Sequence, residues 1–90
     1  MSNESYLEVT YRRGKVVAGY LHLPRREGDS VVRSRKVGPG IVVDYAQDGR
    51  PIGVEITSFS AVSLQQTWDI LASLHIETIA KEDLAPLLVG

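Results

Sequence analysis

The 90-residue sequence contains no cysteine. This absence excludes disulfides, a thiolate nucleophile and cysteine-ligated zinc or iron–sulfur centres. No apolar run approaches the roughly 20 residues that a membrane-spanning helix needs. The N-terminal segment also lacks the positive run and apolar core that are typical of a signal peptide. We therefore expect a soluble, cytoplasmic protein.

Residues suited to catalysis or metal binding are also scarce. The two histidines, His22 and His75, stand apart and lack the HxH or HxxxH spacing of metal ligands. No serine lies in a Gly-x-Ser-x-Gly elbow, and the 38–40 Gly-Pro-Gly segment lacks the following lysine of a phosphate-binding loop. We expect no enzymatic activity, no catalytic residue, no metal ligand and no cofactor.

Charge is nearly balanced over the whole chain but is unevenly distributed along it. The formal net charge is -1. Residues 12–36 carry eight basic and two acidic side chains, whereas residues 37–90 carry two basic and seven acidic ones. Such asymmetry is typical of a nucleic-acid surface, and it is also a means by which two subunits complement each other.

The segment 40–56 predicts a β-hairpin whose turn is centred on Asp48 and Gly49, because these residue types favour the positive φ of a tight turn. This turn fixes the pairing of the two strands. The apolar pairs expected on one face are Tyr45–Ile52, Val43–Val54 and Ile41–Ile56. The pairs expected on the other face are Val42–Glu55 and Asp44–Gly53.

Three further strands are predicted upstream. Residues 6–11 alternate between apolar and polar side chains, and the polar segment 12–15 closes a hairpin onto residues 16–23. The latter run is apolar on both faces, which favours a central strand. Residues 31–37 carry basic side chains on both faces, which is typical of an exposed edge strand.

After residue 59 the spacing of apolar residues becomes helical. A helix is predicted to start near Ser63, because Ser63 and Gln66 resemble a capping box. Trp68 is expected to be its largest group in the core. The residues on the apolar side of this helix are Leu64, Trp68, Leu71, Ala72 and His75.

The tail from residue 81 predicts a short second helix, with Glu82 and Asp83 in its first turn. Its apolar groups are expected to pack on the sheet or on a second subunit. These groups are Leu84, Leu87, Leu88 and Val89.

Together these patterns predict one α+β domain over residues 1–90. An antiparallel sheet of four to five strands in consecutive hairpins occupies residues 6–57. A C-terminal amphipathic helix and a short helical tail, within residues 58–90, cover this sheet.

The predicted hairpin resembles a small bacterial family of unknown function, DUF2283, whose pattern runs V-D-Y-D-x-x-G-x-x-x-G-I-E-I. The hairpin residues that carry the resemblance, to which we give a structural role, are Asp44, Tyr45, Asp48, Gly49, Gly53 and Glu55. Ala46 stands where the family usually has a second acidic residue, and the family's aspartate before the second strand is also absent, so an acidic site would be reduced here. The resemblance implies an antiparallel sheet with a helical tail and a bacterial origin. It also implies an antitoxin-like or regulatory role, because some relatives lie beside small toxin-like genes.

The interpretation that we favour is a non-enzymatic interaction or regulatory module that self-associates as a homodimer or binds a protein partner. Strand edges or an apolar region of the helical part would form the interface. The candidate core or interface residues of that region are Trp68, Leu71, Leu87 and Leu88.

Two alternatives remain open. In the first, the basic segment 12–36 tracks a nucleic-acid backbone while Tyr11 or Tyr20 stacks on a base. The candidate contacts are Arg12, Arg13, Lys15, Arg33, Arg35 and Lys36. In the second, Asp44 and Glu55 act as an acid–base pair or bind a cation, because the predicted register makes them diagonal neighbours.

Overall fold

A computed structural model describes residues 5–74, 76, 84, 86 and 87. The strands that it describes form one antiparallel sheet in the order β1-β2-β5-β4-β3, followed by a C-terminal helix, so the predicted α+β class is confirmed. Consecutive strands pair with each other except at the step from β2 to β3, because β2 pairs with β5 instead. The elements are β1 Tyr6–Arg12, β2 Lys15–His22, β3 Arg33–Gly38, β4 Ile41–Tyr45, β5 Pro51–Ile56 and α1 Ala61–Ser73.

The β4–β5 hairpin has the predicted register over most of its length. The pairs that agree are Ile41–Ile56, Val42–Glu55, Val43–Val54 and Asp44–Gly53. The predicted Tyr45–Ile52 pair is wrong, because Tyr45 lies opposite Pro51 and the register shifts after Asp44.

The turn of this hairpin explains that shift. The amide of Gly49 donates to the carbonyl of Ala46 (3.0 Å), and the amide of Ala46 donates to the carbonyl of Arg50 (2.9 Å). The loop therefore has three residues, and only Gly49, with φ of +90°, needs the left-handed region. The prediction of a two-residue turn at Asp48 and Gly49 is therefore wrong, because the loop has one residue more. A bulge at Ile52 then restores the predicted pairing from Asp44–Gly53 onward.

The other strands lie close to their predicted positions. The β1–β2 turn places Arg13 and Gly14 at φ of 53° and 77°, as a two-residue hairpin turn requires. β2 lies between β1 and β5, which confirms the prediction of a central strand. β3 pairs only with β4 among the described strands, as predicted for an edge, but it begins two residues later than expected, at Arg33.

The helix begins earlier than predicted. Its N-cap is Ser60, whose hydroxyl accepts a hydrogen bond from the amide of Ser63 (3.1 Å). The Ser63 hydroxyl instead bonds the hydroxyls of Ser58 and Ser60. The predicted start at Ser63 is therefore wrong, because the cap three residues upstream satisfies the first amides of the helix.

The core lies between the sheet and α1. Leu64, Thr67 and Leu71 form the buried side of the helix, and the Thr67 hydroxyl donates to the carbonyl of Ser63 (3.0 Å). Trp68, expected to be a main component of the core, is partly buried and packs at its margin. Ala72, also expected on this side, is exposed.

The tail contributes to the same core. Leu84 and Leu87 are buried, and the Leu87 methyl groups occupy the space over Gly19, where a Cβ atom would lie 2.6 Å from one of them. The predictions for His75, for a second helix beginning near Glu82 and Asp83, and for Leu88 and Val89 fall outside the described residues. No helix in the described part of the chain has the length and apolar character needed to cross a membrane.

We predict that Leu71→Ala lowers the free energy of unfolding by about 2–5 kcal/mol, because Leu71 is fully buried between α1 and the sheet. The matched control is Val62→Ala on the same helix, where the side chain is 70% exposed. This control should change stability by less than about 0.5 kcal/mol. Urea unfolding followed by circular dichroism measures both, and equal effects would contradict the proposed packing.

Candidate functional site

The polar residues of the hairpin meet on the sheet face opposite to the core, which we call the outer face. Side chains alternate along each strand, so the register defines two rows of neighbours across this face. The first row is Glu8, Tyr20, Glu55, Val42 and Lys36. The second row is Tyr6, His22, Gly53, Asp44 and Ser34.

Asp44 is the centre of a hydrogen-bonded group that we call the polar clasp, formed by Tyr20, Asp44 and Ser34. The Tyr20 hydroxyl donates to Oδ2 of Asp44 (2.6 Å), and the Ser34 hydroxyl donates to Oδ1 (2.6 Å). Tyr20 lies on β2, Asp44 on β4 and Ser34 on β3, so the clasp connects side chains from three strands of the sheet.

The strand between Tyr20 and Asp44 contributes Gly53. A Cβ atom at this position would overlap the hydroxyl and the ring of Tyr20. Only a residue without a side chain lets the tyrosine cross β5 and reach the carboxylate on β4. The glycine is therefore required by the clasp, and no ligand is needed to explain it.

The protonation of Tyr20 follows from its surroundings. Burial raises its pKa from 10.0 to about 12, and the hydrogen bond to Asp44 and the charge of that carboxylate act in the same direction. Arg25 has a smaller, opposite effect on this pKa. At neutral pH the Tyr20 hydroxyl is therefore a hydrogen-bond donor, and it is poorly suited to act as a base.

Aromatic rings lie beside the clasp. The rings of Tyr6 and His22 are stacked, with centroids 4.3 Å apart and planes inclined by 10°. The ring of Tyr20 also lies near His22, in a tilted arrangement with centroids 4.7 Å apart. Nε2 of His22 lies 2.9 Å from Oε1 of Glu8, whose side chain is mostly exposed, so this contact adds little stability.

A second polar cluster ties the β2–β3 loop to the β4–β5 turn. Arg50 donates to Asp29 (2.7 Å) and to Asp48 (2.7 Å). The pKa of Asp29 is lowered mainly by the Arg26 amide and then by Arg50, and that of Asp48 is lowered mainly by Arg50. The carboxylates of this cluster are thus ionised partners of a guanidinium that fixes the loop.

The two acidic residues considered for chemistry lie where the register predicts. Asp44 and Glu55 are diagonal neighbours on the outer face, on adjacent strands. Both oxygens of Asp44 already accept hydrogen bonds, whereas Glu55 is exposed. Among the residues that the structure describes, no three carboxylate or imidazole groups gather as metal ligands would.

The basic residues considered for nucleic-acid contacts form two separate groups, one at the β1–β2 turn and one on β3. Arg12, Arg13 and Lys15 surround the β1–β2 turn. Arg33, Arg35 and Lys36 lie on β3, the edge strand at the other end of the strand order from β1. Arg33 also covers the ring of Tyr45, at 4.7 Å from its centroid.

An open cavity of about 310 Å³ lies between α1 and the β3–β4 turn, away from the outer face. Its lining residues are Val37, Gly38, Pro39, Gln66, Asp69 and Ile70. Among the described residues that line it, Asp69 is the one titratable group, so these residues offer no acid–base pair.

Three residues of these clusters, Ser34, Asp29 and Arg50, were not identified from the sequence. Ser34 joins the clasp only because β3 pairs with β4 in a register that sets it opposite Asp44. Arg50 was assigned to no ion pair, although it lies two positions after Asp48. The glycine opposite Asp44 in the predicted register is the signal that could have indicated a large side chain crossing β5 at this point.

We predict that Asp44→Asn lowers the pKa of Tyr20 from about 12 while leaving it above 10.0, because burial is the largest cause of the shift. Tyrosinate absorbance during an alkaline titration measures this value. Since folding raises this pKa, its contribution to stability is complete below pH 10.0 and disappears as the pH rises through about 12. Glu55→Gln is the matched control on the same face and should leave the titration unchanged. An unchanged titration in Asp44→Asn would contradict the assignment.

Comparison with known protein families finds a match over part of the chain. Residues 18–60 match the family model described as a protein of unknown function, DUF2283. No curated protein matches the chain, and no solved structure matches it. The matched range contains the whole polar clasp and Gly53. The resemblance carried by the hairpin is therefore confirmed: residues 18–60 are similar to the DUF2283 family, whose function is unknown.

Proposed function

We propose that this chain is a non-enzymatic interaction module that associates with a second copy of itself. The observation that carries the proposal is that β1 and β3, with seven and six residues, each pair with a single neighbour among the described strands. Edge strands present a row of backbone donors and acceptors that readily pair with another chain. Self-association would satisfy these groups.

The state of the acidic residues supports a structural role over a catalytic one. Asp44 uses both carboxylate oxygens within the polar clasp, and Tyr20 keeps its proton at neutral pH. Glu55 is exposed beside them, without the enclosing pocket that usually perturbs a catalytic carboxylate.

The burial of the helical region favours the strand edges as the interface. Leu71 and Leu87 are buried within their own chain, so they offer little surface to a second copy. On β1, by contrast, Tyr6 and Tyr11 are each 56% exposed. Exposed tyrosines are common at protein interfaces, because they combine a large apolar body with a polar tip.

Neither the antitoxin-like role nor nucleic-acid binding has a specific contact in its favour. The two groups of basic residues lie apart, at the β1–β2 turn and on β3, and the outer face carries Glu8, Asp44 and Glu55. Such a face would repel a phosphate backbone. The proposal is therefore confined to self-association.

We predict that the full chain sediments and scatters light as a dimer of twice 9.9 kDa at high concentration, and that it dissociates on dilution. Analytical ultracentrifugation and multi-angle light scattering over a wide concentration series measure this mass. A mass of 9.9 kDa at every concentration would overturn the proposal.

A further inference from the structure

We infer, on the basis of the proposed self-association, that β1 pairs antiparallel with β1 of a second copy about a two-fold axis at Val9. The two sheets would then join into one continuous sheet. Because such an axis is perpendicular to the sheet, both helices would lie on one side and both outer faces on the other.

The charges on the two edge strands, β1 and β3, indicate which of them pairs with its own copy. A two-fold pairing of β3 with itself places Arg35 opposite Arg35, or Arg33 opposite Arg35, or Lys36 opposite Lys36, in the three central registers. Like charges directly opposite each other destabilise a strand pair. β3 therefore resists pairing with its own copy, as basic edge strands commonly do.

The charges on β1, in contrast to those on β3, permit this strand to pair with its own copy. With the axis at Val9, its seven residues all find a partner, and no two like charges lie directly opposite each other. The pairs would be Tyr6–Arg12, Leu7–Tyr11, Glu8–Thr10 and Val9–Val9, each of the first three formed twice. These include two aromatic–cation pairs on the outer face and three apolar pairs on the core side.

Other axes on the same strand are less favourable. An axis at Glu8 sets Glu8 opposite its own copy, which is a like-charge pair. An axis at Thr10 forms two Glu8–Arg12 pairs of opposite charge, but it pairs only residues 8–12 within the strand and leaves Tyr6 and Leu7 beyond its end. Of these three axes, the one at Val9 thus pairs all seven residues of the strand.

The geometry of β1 suits this pairing. The irregularity in the β1–β2 ladder skips Val17, so the extra residue belongs to β2 and β1 continues without a bulge. Leu7 and Val9 are partly buried against the core, and a second copy along their open edge would cover more of their surface.

The chain contains no cysteine, so a single introduced cysteine can form a disulfide only with the same cysteine of a second copy. The test of the β1 interface relies on this property. Residues directly opposite each other in antiparallel strands have Cα atoms about 4.5–5.5 Å apart, within the range of a disulfide. In Val9→Cys, mild oxidation should therefore give a disulfide-linked dimer that doubles the mass on a non-reducing gel.

Leu7→Cys is the matched control, because residue 7 lies on the same face and is similarly buried. In the proposed register the two copies of residue 7 are separated by roughly 13 Å along the strands, too far for a disulfide. Circular dichroism and light scattering of both reduced variants verify that each is folded and establish its association state.

Cross-linking of Val9→Cys without cross-linking of Leu7→Cys supports the inference. A wild-type dimer in which Val9→Cys folds and dimerises but does not cross-link overturns the β1 interface and leaves self-association intact. A wild-type chain that is monomeric at every concentration overturns both the interface and the proposed function.

Discussion

The hydrogen bond from Tyr20 to Asp44 across Gly53 is the constraint on which the arrangement of the outer face depends. It requires β2, β5 and β4 to lie in one register, since a slip by one residue would place a side chain beneath the tyrosine ring. Ser34 extends the same constraint to β3. The apolar pairs on the opposite side of the sheet are fixed by the same register, so the polar clasp and the core specify one fold together.

This constraint gives a physical meaning to the segment that matches the family. Asp44 and Gly53, which carry the resemblance, act as the acceptor and the open position of a structural contact. Both carboxylate oxygens of Asp44 accept hydrogen bonds within the polar clasp. At the strand edges, β1 carries exposed tyrosines and β3 carries exposed cations.

The sequence predicted the sheet well because strand alternation and turn residues act locally. It correctly set Asp44 opposite Gly53, but it did not predict the bulge at Ile52, since a two-residue and a three-residue loop fit the same Asp-Gly pair. The helix cap was misplaced because several serines precede the helix and each can serve as a cap. The contact of Ser34 with Asp44 depends on long-range pairing between strands, which periodicity alone does not determine.

The most direct test of this account is a double-mutant cycle between Tyr20→Phe and Asp44→Asn, with stability measured by urea unfolding. The tyrosine hydroxyl donates to a partly buried carboxylate, so we expect the two substitutions to couple by about 1–2 kcal/mol. Effects that add to within about 0.5 kcal/mol would show that the two residues act independently. That result would contradict the claim that their hydrogen bond organises the sheet.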